Sequence, residues 1–182
     1  MKKYIWGALF VLFFGLMTIG CAGLQANIDT GSKIAKSDKP ILIFPFRNPY
    51  YKGQELRGVG ESVASAIVSE VQAIGRNCDL VRNDEFKATD LINIDKACEY
   101  ARQNNADIAI IGIVTEWIDG ATNWSGKVDV AAVTVSAYDT ESHKLMSSAS
   151  GRQNGQWFTF VNAPVTRFLR PLSKEVVLNL FE

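Results

Sequence analysis

Ala106 to Trp117 is the longest run of β-branched and aliphatic residues beyond the N-terminal leader. Its first half is apolar at odd and even positions alike, as a strand covered on both faces requires. From Val114 onward the pattern turns to alternation, with Thr115 and Glu116 interrupting before Trp117 and Ile118. A strand doubly buried at its start and half exposed at its end predicts the centre of a helix-flanked sheet. Gly112 leaves a gap in this packed run, and the expectation is that a helix approaches the sheet closely there.

Other segments fall into place around that strand. Pro40 opens a short apolar strand, Ile41 to Phe46, and Arg47 to Arg57 reads as a loop. Val59, Val63, Ile67, Val71 and Ile74 recur at helical spacing, with Gly75 as the stop. Cys78 to Arg82 predicts a second short strand, and Asp84 to Leu91 holds at most a helical turn. A second helix runs from Asn93 to Asn104, its face formed by Ile94, Ala97, Cys98 and Ala101. After the central strand, the turn cluster Asp119 to Gly126 leads into Val128 to Tyr138. There an apolar set (Ala131, Val133, Val135, Ala137) alternates with a mixed one, as in an antiparallel strand near an edge. Leu145 to Gly151 is a small-residue strand, which Gln156 to Val161 extends after a break. Asn162 and Pro164 mark a helix start. Val165 to Leu180 is amphipathic, and Pro171 predicts a kink or restart within it. The fold class expected is therefore α/β: one domain, order β-α-β-α-β-β-β-α, with a mixed sheet of about five strands flanked by helices.

The leader changes the picture of where this domain sits. A basic head, Met1 to Tyr4, precedes an apolar run from Ile5 to Ile19. About 15 apolar residues match a secretory signal and fall short of the roughly 20 that span a bilayer. The competing reading is a retained anchor helix. Thr18-Ile19-Gly20-Cys21 resembles the lipobox of bacterial lipoproteins, with Thr18 standing where leucine is usual. That resemblance implies a signal peptide over 1–20, lipid attachment at Cys21 and a membrane contact through that lipid. With Ala22 after the cysteine, the same resemblance implies the outer membrane. On that reading, residues 21–39 are expected to form the lipidated start and a polar tether reaching about 60 Å at full stretch, and 40–182 the periplasmic domain.

Charge and chemistry narrow the function classes. Lys and Arg number 19 against 19 Asp and Glu; removing Lys2 and Lys3 with the leader leaves a slight acidic excess. A nucleic-acid partner, which needs a concentrated positive field, is not expected. Beyond the leader only Cys78 and Cys98 remain. A disulfide between them would close a loop of about 20 residues, worth about 3 kcal/mol; two separate buried thiols are the equal alternative. Neither a CxxC nor a Cys–His zinc spacing occurs, so no metal or cofactor is expected. The single histidine, His143, falls in a turn, where no second group is expected to hold it and no nucleophile to meet it. The carboxylates Asp84 and Glu85 sit among polar residues, and G-x-S-x-G and S-x-x-K are absent. Gly58-Val59-Gly60 lacks a third glycine, and Glu61 would repel phosphate. No catalytic residue stands out, and an enzyme, a periplasmic hydrolase in particular, is the least favoured class. Arg47, Tyr50 and Tyr51 crowd cations and aromatics into the first loop, and Trp124 stands in a polar turn; these four are the candidate contacts for an envelope protein partner. The alternative folds both tyrosines back over the sheet edge.

Ala106-Asp107 followed by Ile110-Ile111-Gly112-Ile113-Val114, together with Val133 to Tyr138 and the turn Asp139-Thr140, resembles the TolB N-terminal/CsgG/penicillin-binding-protein-activator group of periplasmic domains. The resemblance implies a non-catalytic binding or accessory module in the cell envelope, and alternatively an oligomeric subunit of an assembly or secretion scaffold. Asp119 to Gly126 is too short to carry the membrane strands of a channel of the CsgG type.

Overall fold

The computed structural model describes residues 33–35, 39–87, 93–120, 128–155 and 164–181. The expectations for Cys21, Trp124, Gln156 to Val161 and Asn162 lie outside those residues. Alternating or continuous burial produces β1 (Ile41–Ile43), β4 (Cys78–Leu80), β5 (Ile108–Ile118), β6 (Val130–Asp139) and β7 (Leu145–Asn154). Between β1 and the first helix stands a pair of two-residue strands, β2 (Tyr50–Tyr51) and β3 (Gln54–Glu55). The helices are α1 (Val59–Ala73), α2 (Ile94–Gln103) and α3 (Leu169–Leu180). The five long-range strands form one sheet in the order β4-β1-β5-β6-β7. β4, β1 and β5 run parallel, and β6 and β7 follow as antiparallel hairpin strands. The chain is thus a single α/β domain with a mixed sheet of five strands, in the predicted order apart from the inserted hairpin.

Strand order decides which side each helix takes. The crossover from β1 to β4 moves outward, and that from β4 to β5 returns past β1. Right-handed connections in opposite directions put their helices on opposite faces. Hence α1, joined by α3, covers one face with Ile41, Ile43, Ile108, Ile110 and Val114 beneath it. α2 covers the other over Leu42, Phe44 and Ala109, where Phe44, Phe86 and Tyr100 meet edge to face at 4.9–6.0 Å. Cys78 belongs to the first layer and Cys98 to the second, and both are free, buried thiols. The sheet lies between them, so no disulfide is present; of the two readings left open by the sequence, the structure adopts the buried thiols.

The change of pattern after Val114 has a mechanical cause. The β5–β6 register skips between Val114 and Glu116, so Thr115 is an extra residue. Such a bulge shifts the face by one position. It brings Trp117, three residues after Val114, back to the helix-covered side, where it packs in the same core layer. Gly112 admits a side chain and not a helix: a Cβ there would lie 2.5 Å from the ring of Phe46. The two motifs singled out in the sequence also touch. Thr140, 3 % exposed, donates its hydroxyl to Ala106 O at 2.8 Å, and its N–H to Asp107 O at 3.1 Å.

Helix ends follow their local chemistry. Gly75, at φ 78°, stops α1, with Arg76 N–H donating to Val71 O at 3.2 Å. Asn93 caps α2 by accepting from Lys96 N–H at 3.1 Å. Pro171 falls in the first turn of α3, where a missing N–H costs nothing, and a 3-10 turn at Val165–Phe168 provides the expected restart. Ile74, counted in the apolar face of the first helix, is 37 % exposed instead.

Candidate functional site

Arg47 extends the path of β1 along β5: its N–H donates to Gly112 O and its carbonyl accepts from Val114 N–H, both at 3.0 Å. From there the loop expected between Arg47 and Arg57 is a hairpin. Tyr50 pairs with Glu55 and Tyr51 with Gln54, across a Lys52-Gly53 turn with φ of 49° and 79°. Positive φ at both central positions defines the type I′ turn that matches strand twist. Asn48 holds the hairpin to the body. Its Oδ1 accepts from Gly60 N–H at 2.9 Å, and its Nδ2 donates to Glu55 Oε1 at 2.9 Å. Arg47 is exposed, Tyr50 is 71 % exposed and Tyr51 is half-buried, with Lys52 Nζ 5.4 Å above its ring. The structure brings Arg47, Tyr50 and Tyr51 together at one end of the sheet. Tyr50 is thus held outward, whereas Tyr51 is half-buried, so the two tyrosines, grouped together in the sequence, differ in exposure.

A second surface lies on the β5–β6–β7 side that faces away from α1 and α3. α2 reaches over β4, β1 and the start of β5, and among the described residues no element lies over the rest. Half-buried Ile111 and Ile113 stand there beside two hydroxyl pairs, Thr134 with Ser150 at 2.9 Å and Ser136 with Ser148 at 3.1 Å. An ion pair between Arg152 and Glu116 closes its upper border. The sequence showed this as the mixed set of positions in β6; the hydroxyl pairing depends on the β6–β7 register and had no signal of its own.

Asp129 links the ends of two loops. Its Oδ1 accepts from Gly120 N–H at 2.7 Å, its Oδ2 lies 2.7 Å from Arg167 Nη2, and its carbonyl accepts from Gly155 N–H at 2.7 Å. Sequence reasoning missed both Asn48 and Asp129, because each works through backbone groups distant along the chain.

Hydrolytic chemistry finds little support. Contrary to expectation, His143 does have a second group: its Nδ1 lies 2.7 Å from Asp95 Oδ1. Among the described residues no serine or cysteine hydrogen-bonds to its ring, so a nucleophile is what the pair lacks. Burial, followed by Asp79, pushes the Cys78 thiol up to about 11; burial, followed by Asp95 and Asp139, does the same to Cys98. Thiols held protonated are poor nucleophiles. Arg82 holds the Asp84 carboxyl below its ordinary value through bonds of 3.1 and 3.0 Å, and Glu85 accepts from the Tyr100 hydroxyl at 3.0 Å. Among the described residues, no group of three or more His, Cys, Asp or Glu is placed to hold a metal ion. The Gly58–Gly60 turn gives its helix N–H to Asn48, leaving that donor unavailable to a phosphate.

Glu175 is raised by burial, against a weak opposing bond of 3.4 Å from Gln153. It sits between α3 and β7, away from His143. A carboxylate raised in the fold is neutral in both states below about pH 4 and costs stability once it must ionise. Glu175→Gln is therefore expected to raise the melting temperature at pH 7, with the gain vanishing towards pH 4. Paired thermal melts at the two pH values check it; an equal gain at both contradicts the assignment to charge.

Comparison with known proteins finds no family model and no curated sequence that matches the chain. Solved structures do. PelC from Paraburkholderia phytofirmans, a dodecamer, superposes with a TM-score of 0.66 at 20 % identity, over 87 % of this chain and 97 % of that one. The same fold is shared with a lipoprotein from Neisseria meningitidis, at TM-score 0.54 and 16 % identity, over 78 % of this chain and 97 % of that one. A hypothetical protein from Chlamydia trachomatis matches at TM-score 0.52 and 13 % identity, over 79 % and 96 %. At these identities the likeness is one of fold.

Proposed function

We propose that the chain is an outer-membrane lipoprotein, lipidated at Cys21, whose periplasmic domain is a non-catalytic accessory module that assembles with copies of itself. One observation carries the assembly: the domain matches nearly the whole of a chain that is itself a dodecamer, 97 % of it. The uncovered face of β5–β6–β7 supplies apolar and hydroxyl groups for contact between copies. Small side chains at Ser136, Ser148 and Ser150 let another surface approach closely. The hairpin end, with Arg47 and Tyr50, is the contact for an envelope protein partner, and Trp124 belongs to the same proposal. β5 spans 11 residues, about 35 Å at the usual rise; Ile41 pairs with Ile108 at its start, and Arg47, leading into the hairpin, with Ile113 at mid-strand.

Fractionation tests the anchor. Cys21→Ala is expected to move the protein from the membrane to the soluble fraction; a variant that stays membrane-bound contradicts the lipoprotein reading. A photo-crosslinking residue at Tyr50 should capture a reproducible partner in cells. Capture that is equal from an unrelated exposed position, such as Glu99, would remove the hairpin from the interface.

A further inference from the structure

The tether does not leave the domain at Pro40. Ile34 lies beneath the end of α3, 3 % exposed, in a parallel bridge to Phe181, and its N–H donates to Leu180 O at 2.9 Å. Arg76, just beyond α1, donates from Nη1 to Ala35 O at 3.3 Å while its guanidinium covers the Phe181 ring at 5.1 Å. The chain is thus clasped between the last turns of α1 and α3. Only Ala22 to Lys33 remains between that clasp and Cys21, about 40 Å at full stretch and about 20 Å on average.

Next to the clasp is the groove between α1 and α3. Ile74, two residues before Arg76, is 37 % exposed, and Leu178, two residues before Leu180, is 46 % exposed; both line it. Lys174 is exposed in the same groove, and Arg170 is exposed with Glu70 Oε1 at 3.6 Å. Lys33 stands exposed beside the clasp. Glu70 is the acid of the groove, and its side chain is only 15 % exposed. Two exposed aliphatic side chains in a groove shared with Lys174 and Arg170 match the chemistry of an anionic lipid surface, which takes apolar groups at its acyl boundary and cations at its headgroups.

We propose that the α1–α3 groove face, at Ile74, Leu178 and Lys174, rests on the anionic lipid surface to which the tether leads. This rests on the lipid anchor at Cys21. Each contact is weak, and the short tether makes it count by keeping the face at high local concentration. The opposite end of the sheet, with Tyr50, then points away from the membrane.

The test uses the lipidated protein on vesicles of phosphatidylethanolamine with a quarter phosphatidylglycerol, containing a headgroup spin-labelled lipid. A fluorophore is placed at Ala73→Cys in one sample and Tyr50→Cys in another; Cys78 and Cys98 are buried and stay unlabelled. Quenching is expected to be several-fold greater at 73 than at 50. It should fall to the level at 50 in the Ile74→Glu, Leu178→Glu double variant and in vesicles of phosphatidylcholine alone. Equal quenching at both positions on a protein shown by mass to be lipidated overturns the docking and leaves the anchor standing. An unmodified Cys21 overturns both. A position 73 shielded equally in detergent, without vesicles, assigns the face to a second copy and overturns the lipid proposal.

Discussion

Gly60→Ala is expected to destabilise the domain by about 3 kcal/mol, although alanine is the better helix former by about 1 kcal/mol. The first turn of α1 lies directly on the backbone that leaves β1. A Cβ on Gly60 would stand 2.0 Å from Phe46 O, 2.7 Å from Phe46 C and 3.2 Å from Arg47 C. These are main-chain atoms, held by the bonds of Arg47 to β5, so no rotamer change relieves the clash. The helix must move, and with it the Asn48 bond to Gly60 N–H that supports the hairpin. Denaturant midpoints measure the loss. Ser65→Ala, on the exposed side of the same helix, is the control and should change little. A Gly60→Ala midpoint equal to the wild type would contradict the packing of α1 on Phe46.

Asp129→Ala is the second large effect expected, about 2 kcal/mol, because it removes a largely buried carboxylate that accepts from both Arg167 and Gly120 N–H. The Asp129 side chain is 13 % exposed and that of Arg167 31 %, so their 2.7 Å contact is poorly screened. Removing the carboxylate also leaves Gly120 N–H without its acceptor. Asp129→Asn keeps an oxygen for Gly120 and loses the charge facing Arg167, so its cost should fall between those of alanine and the wild type. Hydrogen exchange provides the local readout: the Gly120 amide should exchange faster in the alanine variant than in the asparagine one. Equal rates in both variants would show that the carboxylate does not hold Gly120.

Features set by neighbours in sequence were legible along the chain, and those set by partners that folding brings together were not. The core strands and helices were legible because burial imposes periods of two and of 3.6 on side chains that are neighbours in sequence. The Val114 to Trp117 irregularity was visible too, but only pairing with β6 reveals it as a bulge. Cys78 and Cys98 could not be resolved, since their separation by the sheet arises from the strand order β4-β1-β5 and not from spacing. The hairpin escaped because strands of two residues have no alternation to detect, and Lys52-Gly53 is a weaker turn signal than Asn-Gly. Gly112 was correctly marked as a close approach while its occupant, the Phe46 ring, was not. Ile34 was lost as a lone apolar residue in a polar tether. Of the candidate site, Arg47, Tyr50 and Tyr51 were legible from residue type, whereas Asn48, which positions them, was not.

Assembly of the domain with copies of itself is tested most directly by the mass of the intact particle. Multi-angle light scattering on the lipidated protein, with the detergent contribution subtracted, is expected to give one discrete mass at a high multiple of the chain. Ser148→Lys with Ser150→Lys, on the uncovered sheet face, should reduce that mass while the domain stays folded, with a melting temperature lowered only by the loss of the two hydroxyl pairs. A monomer mass for the unaltered protein across the concentration range would contradict the assembly reading and leave the domain a single-copy binding module.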